Sequence, residues 1–444
     1  MAARDTAPDV GTIIRTARRA AGLTQTQLGS LVAYSAATIS RMESGKQPLR
    51  DVVALRKIAA ALGIPHQRVG LADGPPGQSA HTTSRPGPRV GTNPGREGDE
   101  MRRRDLLTGF AAFGGAAAIG IPSSASAAPP SPTAALVSGV QDRLTGGPTG
   151  TTASPDALRS MLAAVRADFQ HGRYRSLAAR LPALIDRAES TAHAIIRPAA
   201  QAILAETYTA TTQILIKLGE IGMAWMSVDR ALLAARATPD PLTNAEAIRE
   251  LVILNRKADH AGTAIALALE AANTLDVDGP DAPAAHVAMY GALLSTAGYT
   301  AAHGGNRDHA NHLLDTAART ASRIGDGNHR YTGFGPTSVA VYRIGAAWAL
   351  GDAGTAIAHA KTVNPNSITL PERRARYWVD VARAYAQWGH PEQTFTALLE
   401  AEAAAPEETR ARPAVHAIAK SLLTRHHRNV PGITDFTSRL LQHS

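Results

Sequence analysis

The chain has 444 residues, a formal net charge of +9 and no cysteine, which excludes disulfides, thiolate metal sites, iron–sulfur clusters and cysteine nucleophiles. Its length is too great for a single core and predicts two or three domains. Apolar residues make up 44% of the chain and aromatic residues only 4%, and this aliphatic composition, without sustained alternation of apolar and polar residues, predicts an all-α fold.

The first predicted helix covers residues 9–22. Ile14 and Ala17 are expected to face the core of a small domain. The three arginines of this helix are predicted to face outward: Arg15, Arg18 and Arg19. Over residues 1–71, Lys and Arg number ten against four Asp and Glu. A basic excess on a short N-terminal segment favours a surface that faces phosphate.

The next stretch predicts two short helices joined by a tight turn. Thr24 and Gln27 have the reciprocal spacing of a capping box at the start of the first helix, and Ser35 is an N-cap candidate for the second. The second helix points two apolar side chains to the core, Ile39 and Met42. Its other face carries small and polar residues: Ala36, Ala37, Thr38, Ser40 and Arg41. Such a face suits a helix that enters the major groove of DNA.

A family resemblance rests on LTQTQLGSLVAYSAATISRMESGKQPL and the trailing LRKIAAALGI. These segments resemble the Cro/C1-type helix-turn-helix, also called the xenobiotic-response-element family. The resemblance covers residues 9–71, and with further helices predicted over 50–62 and 65–71 it implies a five-helix, lambda-repressor-like DNA-binding domain at residues 1–72. In that family the second helix of the motif reads bases, and the Gln that opens the first helix contacts phosphate. The implied DNA-binding residues are Gln25, Ser35, Ala36, Ala37, Thr38, Ser40, Arg41 and Lys46, with Gln25 and Lys46 on the DNA backbone.

Three segments are predicted to separate this domain from the rest of the chain. Residues 73–100 are rich in Gly, Pro, Ser, Thr and Arg, which is typical of a flexible linker. Residues 101–130 combine three arginines, a mildly apolar run and an Ala-Ser-Ala sequence at 125–127. Residues 131–154 are predicted to be a second linker.

The segment 101–130 resembles a twin-arginine export signal with its cleavage site. Its apolar run is shorter than the roughly 20 residues of a membrane span. Three interpretations stay open: a non-functional relic or linker helix, a membrane anchor, and true export. Because export would separate a DNA-binding domain from its DNA, we expect a cytoplasmic protein.

From residue 155 to the end the sequence predicts one helix after another, with a recurring break. Five glycines each close one predicted helix: Gly172, Gly219, Gly305, Gly351 and Gly389. Asp259 holds the same place in a sixth break, and an alanine-rich helix follows each one. The pattern resembles tetratricopeptide repeats, although the breaks are further apart than in the standard repeat. The resemblance implies a tetratricopeptide-like α-solenoid over residues 155–444.

The sequence contains none of the usual signatures of an enzyme. No phosphate loop, dinucleotide fingerprint, nucleophile elbow or paired-histidine zinc helix occurs, so we expect no catalytic residue and no cofactor. His303, His309 and His312 come nearest to a metal cluster, but matching acidic residues are few, and surface histidines are the preferred interpretation. We therefore expect no metal site and no enzyme.

Aromatic residues are few but concentrated at 331–348 and 377–388, with arginines among them. Because the first helices of successive repeats line the concave surface of a solenoid, these side chains are predicted to share a groove. The candidate ligand-binding residues are Tyr342, Arg343, Arg373, Arg376, Tyr377 and Arg383. Aromatic rings with guanidinium groups suit a peptide with a free carboxylate, or an acidic partner. The alternative is ordinary aromatic packing between repeats.

A Cro-type domain joined to helical repeats resembles the peptide-pheromone-responsive regulators of Gram-positive bacteria and the repeat-bearing regulators of high-GC bacteria. The resemblance implies a homodimeric transcription factor that binds double-stranded DNA, and whose operator binding changes when a peptide, small ligand or protein occupies the repeats. The alternative is a repeat-based scaffold or adaptor with weak DNA binding, acting through protein contacts and membrane-associated if the segment at 101–130 is an anchor.

Overall fold

The structure is a computed structural model that describes residues 10–32, 36–44, 52–62, 64, 131–195, 197–426 and 430–441. Every regular element within these ranges is an α-helix or a short 3-10 helix, so the all-α prediction is confirmed. The chain divides into two compact units, Met1–Ile121 and Pro122–Ser444. No helix in the described ranges is both long and apolar enough to cross a membrane, and the twin-arginine-like segment lies outside them.

Four helices are described in the first unit: α1 (Val10–Ala20), α2 (Gln25–Val32), α3 (Ala36–Glu43) and α4 (Val52–Ala61). Their apolar faces meet in one small core: Ile14, Leu28, Val32, Ile39, Met42, Ile58, Ala59 and Ile64. The predicted capping box is present at the start of α2, where the Thr24 N–H donates to Gln27 Oε1 at 2.8 Å and the Gln27 N–H donates to Thr24 Oγ1 at 3.2 Å. The predicted fifth helix and the linker at 73–100 lie outside the described residues.

The prediction of a linker over 131–154 is wrong for most of that segment. Helix α5 (Pro132–Thr145) begins there, and Ser131 caps it by accepting a hydrogen bond from the Ala134 N–H. Three apolar side chains of α5, at four-residue spacing, are fully buried: Leu136, Val140 and Leu144. Because this spacing gives α5 one apolar face, the helix packs against α7 (Tyr174–Ala194) and belongs to the core of the second unit.

Six helix pairs are described between residues 155 and 404, in keeping with the predicted repeats. They are α6 (Pro155–Gln170) with α7, α8 (Pro198–Leu218) with α9 (Ile221–Arg236), α10 (Pro241–Lys257) with α11 (Ala261–Ala272), α12 (Ala284–His303) with α13 (Arg307–Ile324), α14 (Pro336–Ala349) with α15 (Ala353–Lys361), and α16 (Pro371–Trp388) with α17 (Pro391–Ala404). Three more helices follow: α18 (Pro406–Ala411), α19 (Pro413–His426) and α20 (Ile433–Leu441).

The turns inside the pairs confirm the predicted breaks. Gly219 and Gly389 end their helices in the left-handed conformation, with φ of 85° and 86°. This region of backbone space favours glycine because a Cβ atom would meet the following carbonyl oxygen. Asp259 adopts a φ of 61° at the equivalent turn, and Asp tolerates this conformation better than most residues.

The first helices of the six pairs form a row that returns on itself. Each contacts the first helix of the next pair, in the order α6, α8, α10, α12, α14 and α16, and α16 in turn contacts α6. The contact between the ends of the row was not part of the solenoid prediction, since it joins helices some 200 residues apart in the sequence.

Buried charges hold the two ends of this row together, in a group that we call the closure cluster: Tyr174, Lys217, Glu372, Glu408 and Arg412. Lys217 binds Glu372 and lies 3.0 Å from Glu408 Oε1, while the Tyr174 hydroxyl donates to Glu408 Oε2 at 2.5 Å. Burial raises the pKa of Glu408, but Lys217 and Arg412 outweigh it and lower that pKa to about 2. Burial and the neighbouring Arg412 lower the pKa of Lys217 well below its usual range, whereas Glu408 raises it. Because both Lys217 and Arg412 contact Glu408, that carboxylate stays ionised and binds the first repeats to the last.

Residues 326–335, the segment before α14, also connect the last repeats to the first. Gln170 and Asn328 exchange two side-chain hydrogen bonds, at 3.1 and 3.0 Å. Arg330 donates to Glu246 at 2.8 Å, and the Arg166 guanidinium lies 4.4 Å from the centre of the Tyr331 ring. Arg330 and Tyr331 both have positive φ values, which cost energy in non-glycine residues and are held here by these contacts.

Candidate functional site

The first candidate site is the exposed face of α3, and Glu43 fixes the position of that helix. The buried Glu43 carboxylate accepts hydrogen bonds from Arg18 Nε at 2.5 Å, from Arg18 Nη2 at 2.9 Å and from Gln25 Nε2 at 2.9 Å. Burial raises the pKa of Glu43, but the bonds from Arg18 and Gln25 outweigh it, so the net shift is downward. Because Arg18 comes from α1 and Gln25 from α2, one ionised carboxylate joins three helices.

This carboxylate changes two of the sequence-based expectations. Arg18 was predicted to face outward, yet it is buried, because Glu43 supplies a partner for its charge inside the domain. Gln25 was implied as a phosphate contact, and its side-chain amide already donates one hydrogen bond to Glu43. A contact from Gln25 to phosphate therefore stays a prediction and has to use another of its donors.

The exposed face of α3 carries the base-reading candidates that the structure describes. Ser40 and Arg41 are exposed and Thr38 is partly exposed, while Ile39 and Met42 are buried as predicted. Arg41 Nη2 donates to Thr38 Oγ1 at 3.3 Å. Ser35 and Lys46 lie outside the described residues, and only the helical backbone is described for Ala36 and Ala37.

The second candidate site lies in the repeats, where the six predicted ligand residues do not share one groove. Tyr342, Arg373 and Arg376 line one pocket, whereas Arg383 lines another, together with Trp348 and residues of α19. The second pocket has a volume of about 360 Å³, and the Arg383 guanidinium lies 5.0 Å from the centre of the Trp348 ring.

Two of the six residues belong to neither pocket. Tyr377 is buried in the core and its hydroxyl donates to the Ala360 carbonyl at 3.1 Å, so it matches the alternative of ordinary aromatic packing. Arg343 pairs with the exposed Asp315 at 2.6 Å, on a different face of α14 from Tyr342. Residues one position apart on a helix point about 100° apart, which explains why Arg343 leaves the site that Tyr342 enters.

The pocket that contains Tyr342 has a volume of about 210 Å³ and lies between the N-terminal halves of α14 and α16. Its polar lining includes Thr337, Ser338, Tyr342, Arg373 and Arg376, and its apolar lining is Val341, Ile368 and Leu370. The segment at 326–335 contributes Asp326, Gly327, Asn328 and Gly333. One wall of the pocket is therefore the same segment that contacts the opposite end of the row.

Beside this pocket, four side chains from four successive first helices form a continuous row of contacts. We call it the aromatic–arginine row: Arg256, Tyr299, Tyr342 and Arg376. The Arg256 guanidinium lies 4.5 Å from the centre of the Tyr299 ring, the two tyrosine rings are 6.2 Å apart, and Arg376 lies 4.8 Å from Tyr342. Cations over aromatic faces attract the ring quadrupole, so this row links α10, α12, α14 and α16.

Positive charge exceeds negative charge around this row. The carboxylates near it are Glu250, 3.2 Å from Arg249, and Asp380, 3.6 Å from Arg376 and 3.1 Å from Arg383. The neighbouring groups that shift the pKa of Arg256 are tyrosines and other arginines. Those that shift the pKa of Lys257 are Arg256 and Arg383. In the described part of the chain, Arg256 and Lys257 thus have no carboxylate partner.

The excess charge acts on Tyr342. Burial raises the pKa of Tyr342, but Arg376, Arg249 and Arg373 outweigh it and lower that pKa from 10.0 to about 7. The nearby His303 behaves as a neutral ring, since burial and Arg256 lower its pKa to about 4. His303 packs edge-on against Tyr299 at 4.6 Å, and among the described residues no group of three or more metal-ligating side chains occurs.

Arg256 and Tyr299 are not among the residues that the sequence predicts for this site. No local pattern marks them, because their contacts join different repeats and depend on how the first helices stack. The concentration of aromatic residues and arginines was a usable signal for two contacts, that of Arg376 with Tyr342 and that of Arg383 with Trp348.

Comparison with known proteins supports the first site. A family model described as a helix-turn-helix domain matches residues 9–70, and no curated protein matches the chain significantly. Among solved structures, the crystal structure of Bacillus thuringiensis PlcR in complex with the peptide PapR7 and DNA is 10% identical, with 88% of this chain and 98% of that chain covered and a TM-score of 0.27. A TM-score this low does not establish a shared fold.

Proposed function

We propose that this protein is a sequence-specific DNA-binding transcriptional regulator whose helical repeats bind a ligand that changes operator binding. The observation that carries the proposal is the helix-turn-helix domain at residues 9–70. In it, α3 exposes Ser40 and Arg41 while the ionised Glu43 fixes the helix from inside. A recognition helix needs this combination, because base contacts require both an accessible face and a fixed orientation.

The DNA contacts divide by chemistry. Thr38 and Arg41 would contact base edges, since an Arg side chain can bond both acceptors of a guanine in the major groove. Lys46 would contact phosphate and add affinity without sequence preference. The protein would act as a homodimer, because Cro-type domains read two half-sites about one helical turn apart.

The repeats would supply the regulation. Two pockets, the aromatic–arginine row and its excess of cations suit a peptide, a small ligand or a protein with negative charge. The protein would act in the cytoplasm, where its DNA is found. Fractionation of host cells, probed for full-length chain and for cleavage after Ala127, tests this location, and a mature form outside the cell would contradict it.

The function as a whole is tested by mapping the bound sites of the native protein across the host genome and then measuring affinity for the recovered sequence. A regulator should bind a palindromic fragment at least about 1,000-fold more tightly than random DNA of the same length, with affinity falling as salt rises. Equal affinity for both fragments would favour the alternative of a scaffold or adaptor that acts through protein contacts.

A further inference from the structure

The lining of the pocket between α14 and α16 combines cations with apolar side chains. Arg373 and Arg376 line it together with Ser338, Ile368 and Leu370. Its volume of about 210 Å³ is below the roughly 300–1,000 Å³ of pockets that hold drug-sized ligands. The pocket therefore has room for one charged group and a short apolar substituent.

The two arginines keep donors for a ligand. Arg373 lies 3.2 Å from Glu372 through its Nε and donates to the Thr332 carbonyl through Nη2 at 3.2 Å. Arg376 Nε lies 3.6 Å from Asp380, which is beyond the usual length of a hydrogen bond, and the same guanidinium interacts with the Tyr342 side chain. A guanidinium has five N–H donors, so both side chains retain donors after these contacts.

Glu372 does not neutralise Arg373 fully, because it also belongs to the closure cluster, where Lys217 and Arg412 share it. Asp380 is shared in the same way between Arg376 and Arg383. The remaining acidic group on the pocket rim, Asp326, accepts hydrogen bonds from the N–H and the hydroxyl of Thr337, at 3.0 and 2.6 Å. On the lining of the pocket, two guanidiniums therefore outnumber the single carboxylate, that of Asp326.

We propose that this pocket binds a carboxylate with a short apolar substituent, held by Arg373 and Arg376 and packed on Ile368 and Leu370. The proposal rests on the proposed function and names the ligand class for it. A planar carboxylate matches the fork of a guanidinium and can accept two parallel hydrogen bonds from it. The lowered pKa of Tyr342 is consistent with this proposal, because the same arginines that would bind the carboxylate also stabilise the Tyr342 phenolate.

Two sources have this chemistry: a free small carboxylic acid and the C-terminal residue of a peptide. The first experiment titrates the full-length protein calorimetrically with N-acetyl-leucine and with its neutral amide, N-acetyl-leucinamide. We expect the acid to bind at least tenfold more tightly than the amide, because charge-assisted hydrogen bonds to the arginines require the carboxylate. Equal binding of the two compounds, or no binding of either at about 10 mM, would overturn the proposal.

The variant Arg376→Gln tests the residue assignment. It should reduce affinity for N-acetyl-leucine at least tenfold, whereas Arg319→Gln, the same charge change on the exposed face of α13, should leave affinity unchanged. Circular dichroism of each variant checks the fold, and the comparison of acid with amide on the unmodified protein does not depend on any variant. Unchanged binding of the acid by a folded Arg376→Gln protein would contradict the assignment.

A third arm separates the two sources. A pentapeptide that ends in leucine, with a free or an amidated C-terminus, is titrated in the same way. Tighter binding of the free-acid peptide than of N-acetyl-leucine identifies a peptide terminus as the ligand, and equal or weaker binding identifies a small acid. Operator binding is measured on the same preparations, so a protein that binds its operator but not the acid overturns this inference and leaves the proposed function intact.

Discussion

The repeat unit contains two charge clusters, one buried and one half-buried, that differ in their ratio of cations to carboxylates. In the closure cluster, the cations Lys217 and Arg412 meet the carboxylates Glu372 and Glu408. Around the aromatic–arginine row, six cations meet two carboxylates that lie outside the closure cluster, Glu250 and Asp380, and one of the six, Arg373, also lies 3.2 Å from Glu372 of the closure cluster. The six are Arg249, Arg256, Lys257, Arg373, Arg376 and Arg383.

The difference separates charges that stabilise the fold from charges that, under the proposed function, would bind a ligand. In a buried cluster with equal numbers of cations and carboxylates, the attraction between opposite charges offsets the free-energy cost of removing them from water, provided that every member is present. Such a cluster has little charge left to attract a ligand. In a cluster with more cations than carboxylates, the desolvation cost of the extra cations is not offset by the protein's own carboxylates. An anionic ligand can offset it. The first unit shows the balanced case again, since Arg18 is buried beside Glu43 while Arg41 lies on the exposed face.

The largest expected effect is a loss of stability when a charge is removed from the closure cluster. Lys217→Met would leave Glu372 and Glu408 buried with less positive charge, and should lower the free energy of unfolding of the repeat unit by about 3–5 kcal/mol. Urea denaturation followed by circular dichroism measures this change.

Lys257→Met is the matched control, because Lys257 is exposed and belongs to the cation-rich cluster. It should change the free energy of unfolding by no more than about 0.5 kcal/mol. Similar losses from both substitutions would remove the distinction between the two clusters.

A smaller effect is expected on α3. Arg41→Ala should cost about 1–3 kcal/mol in operator binding and relax the sequence preference, because it removes a base contact. Lys46→Ala should weaken binding to all sequences alike and lower the slope of log affinity against log salt by about one. Filter binding or anisotropy at several salt concentrations measures both, and an equal loss on operator and random DNA for Arg41→Ala would refute its role in reading bases.

Regulation should depend on the cation-rich cluster. Combined substitution of Arg373, Arg376 and Arg383 by Ala should abolish the response of operator affinity to host-cell extract, a coupling of roughly 1–3 kcal/mol or about 5- to 150-fold in affinity. Arg343→Ala is the control, since Arg343 faces Asp315 instead and should retain the response. If the triple variant responds to extract as the unmodified protein does, the cluster is not the sensor.

The sequence predicts a feature well when the residues that form it are close together along the chain, and poorly when they are far apart. The capping box of Thr24 and Gln27 involves residues three positions apart, and the turn at Asp259 depends on its own backbone, so both could be predicted. Arg18 could not, because its partner Glu43 lies on another helix. The same holds for the contact of Arg256 with Tyr299, which exists only once the repeats have stacked.

Two further differences have other causes. The prediction of a linker over 131–154 overlooks helix α5, although Leu136, Val140 and Leu144 recur at helical spacing and mark it locally. Tyr377 and Tyr342 belong to equally aromatic stretches of sequence, but the first packs in the core and the second lines a pocket. Composition identifies the aromatic stretch, and only the packing of α14 and α16 determines which ring lines the pocket.

The smallest expected effect is on the ionisation of Tyr342, whose pKa reports the excess of cations around the aromatic–arginine row. Tyr342 has a pKa of about 7, so its phenolate should form near neutral pH and be visible in the ultraviolet absorbance of the folded protein. The groups that face it are Arg249, Arg373, Arg376, Arg256, Tyr299 and the Thr296 hydroxyl, 3.5 Å from its own hydroxyl. Because the folded-state pKa lies below the ordinary value of 10.0, the phenolate contributes stability that is complete above about pH 10 and is lost as the pH falls through 7.

Substitutions can assign this titration to Tyr342. Tyr342→Phe should remove the absorbance change near pH 7, whereas Tyr377→Phe should leave it, since burial raises the pKa of Tyr377 instead. Arg376→Gln should move the change upward by about one pH unit, equivalent to 1.36 kcal/mol, because one of the cations that stabilise the phenolate is gone. Binding of an anion in the neighbouring pocket should shift the titration in the same direction, since the ligand offsets the same positive charge. A titration near pH 7 that persists in Tyr342→Phe would show that the surplus charge acts elsewhere.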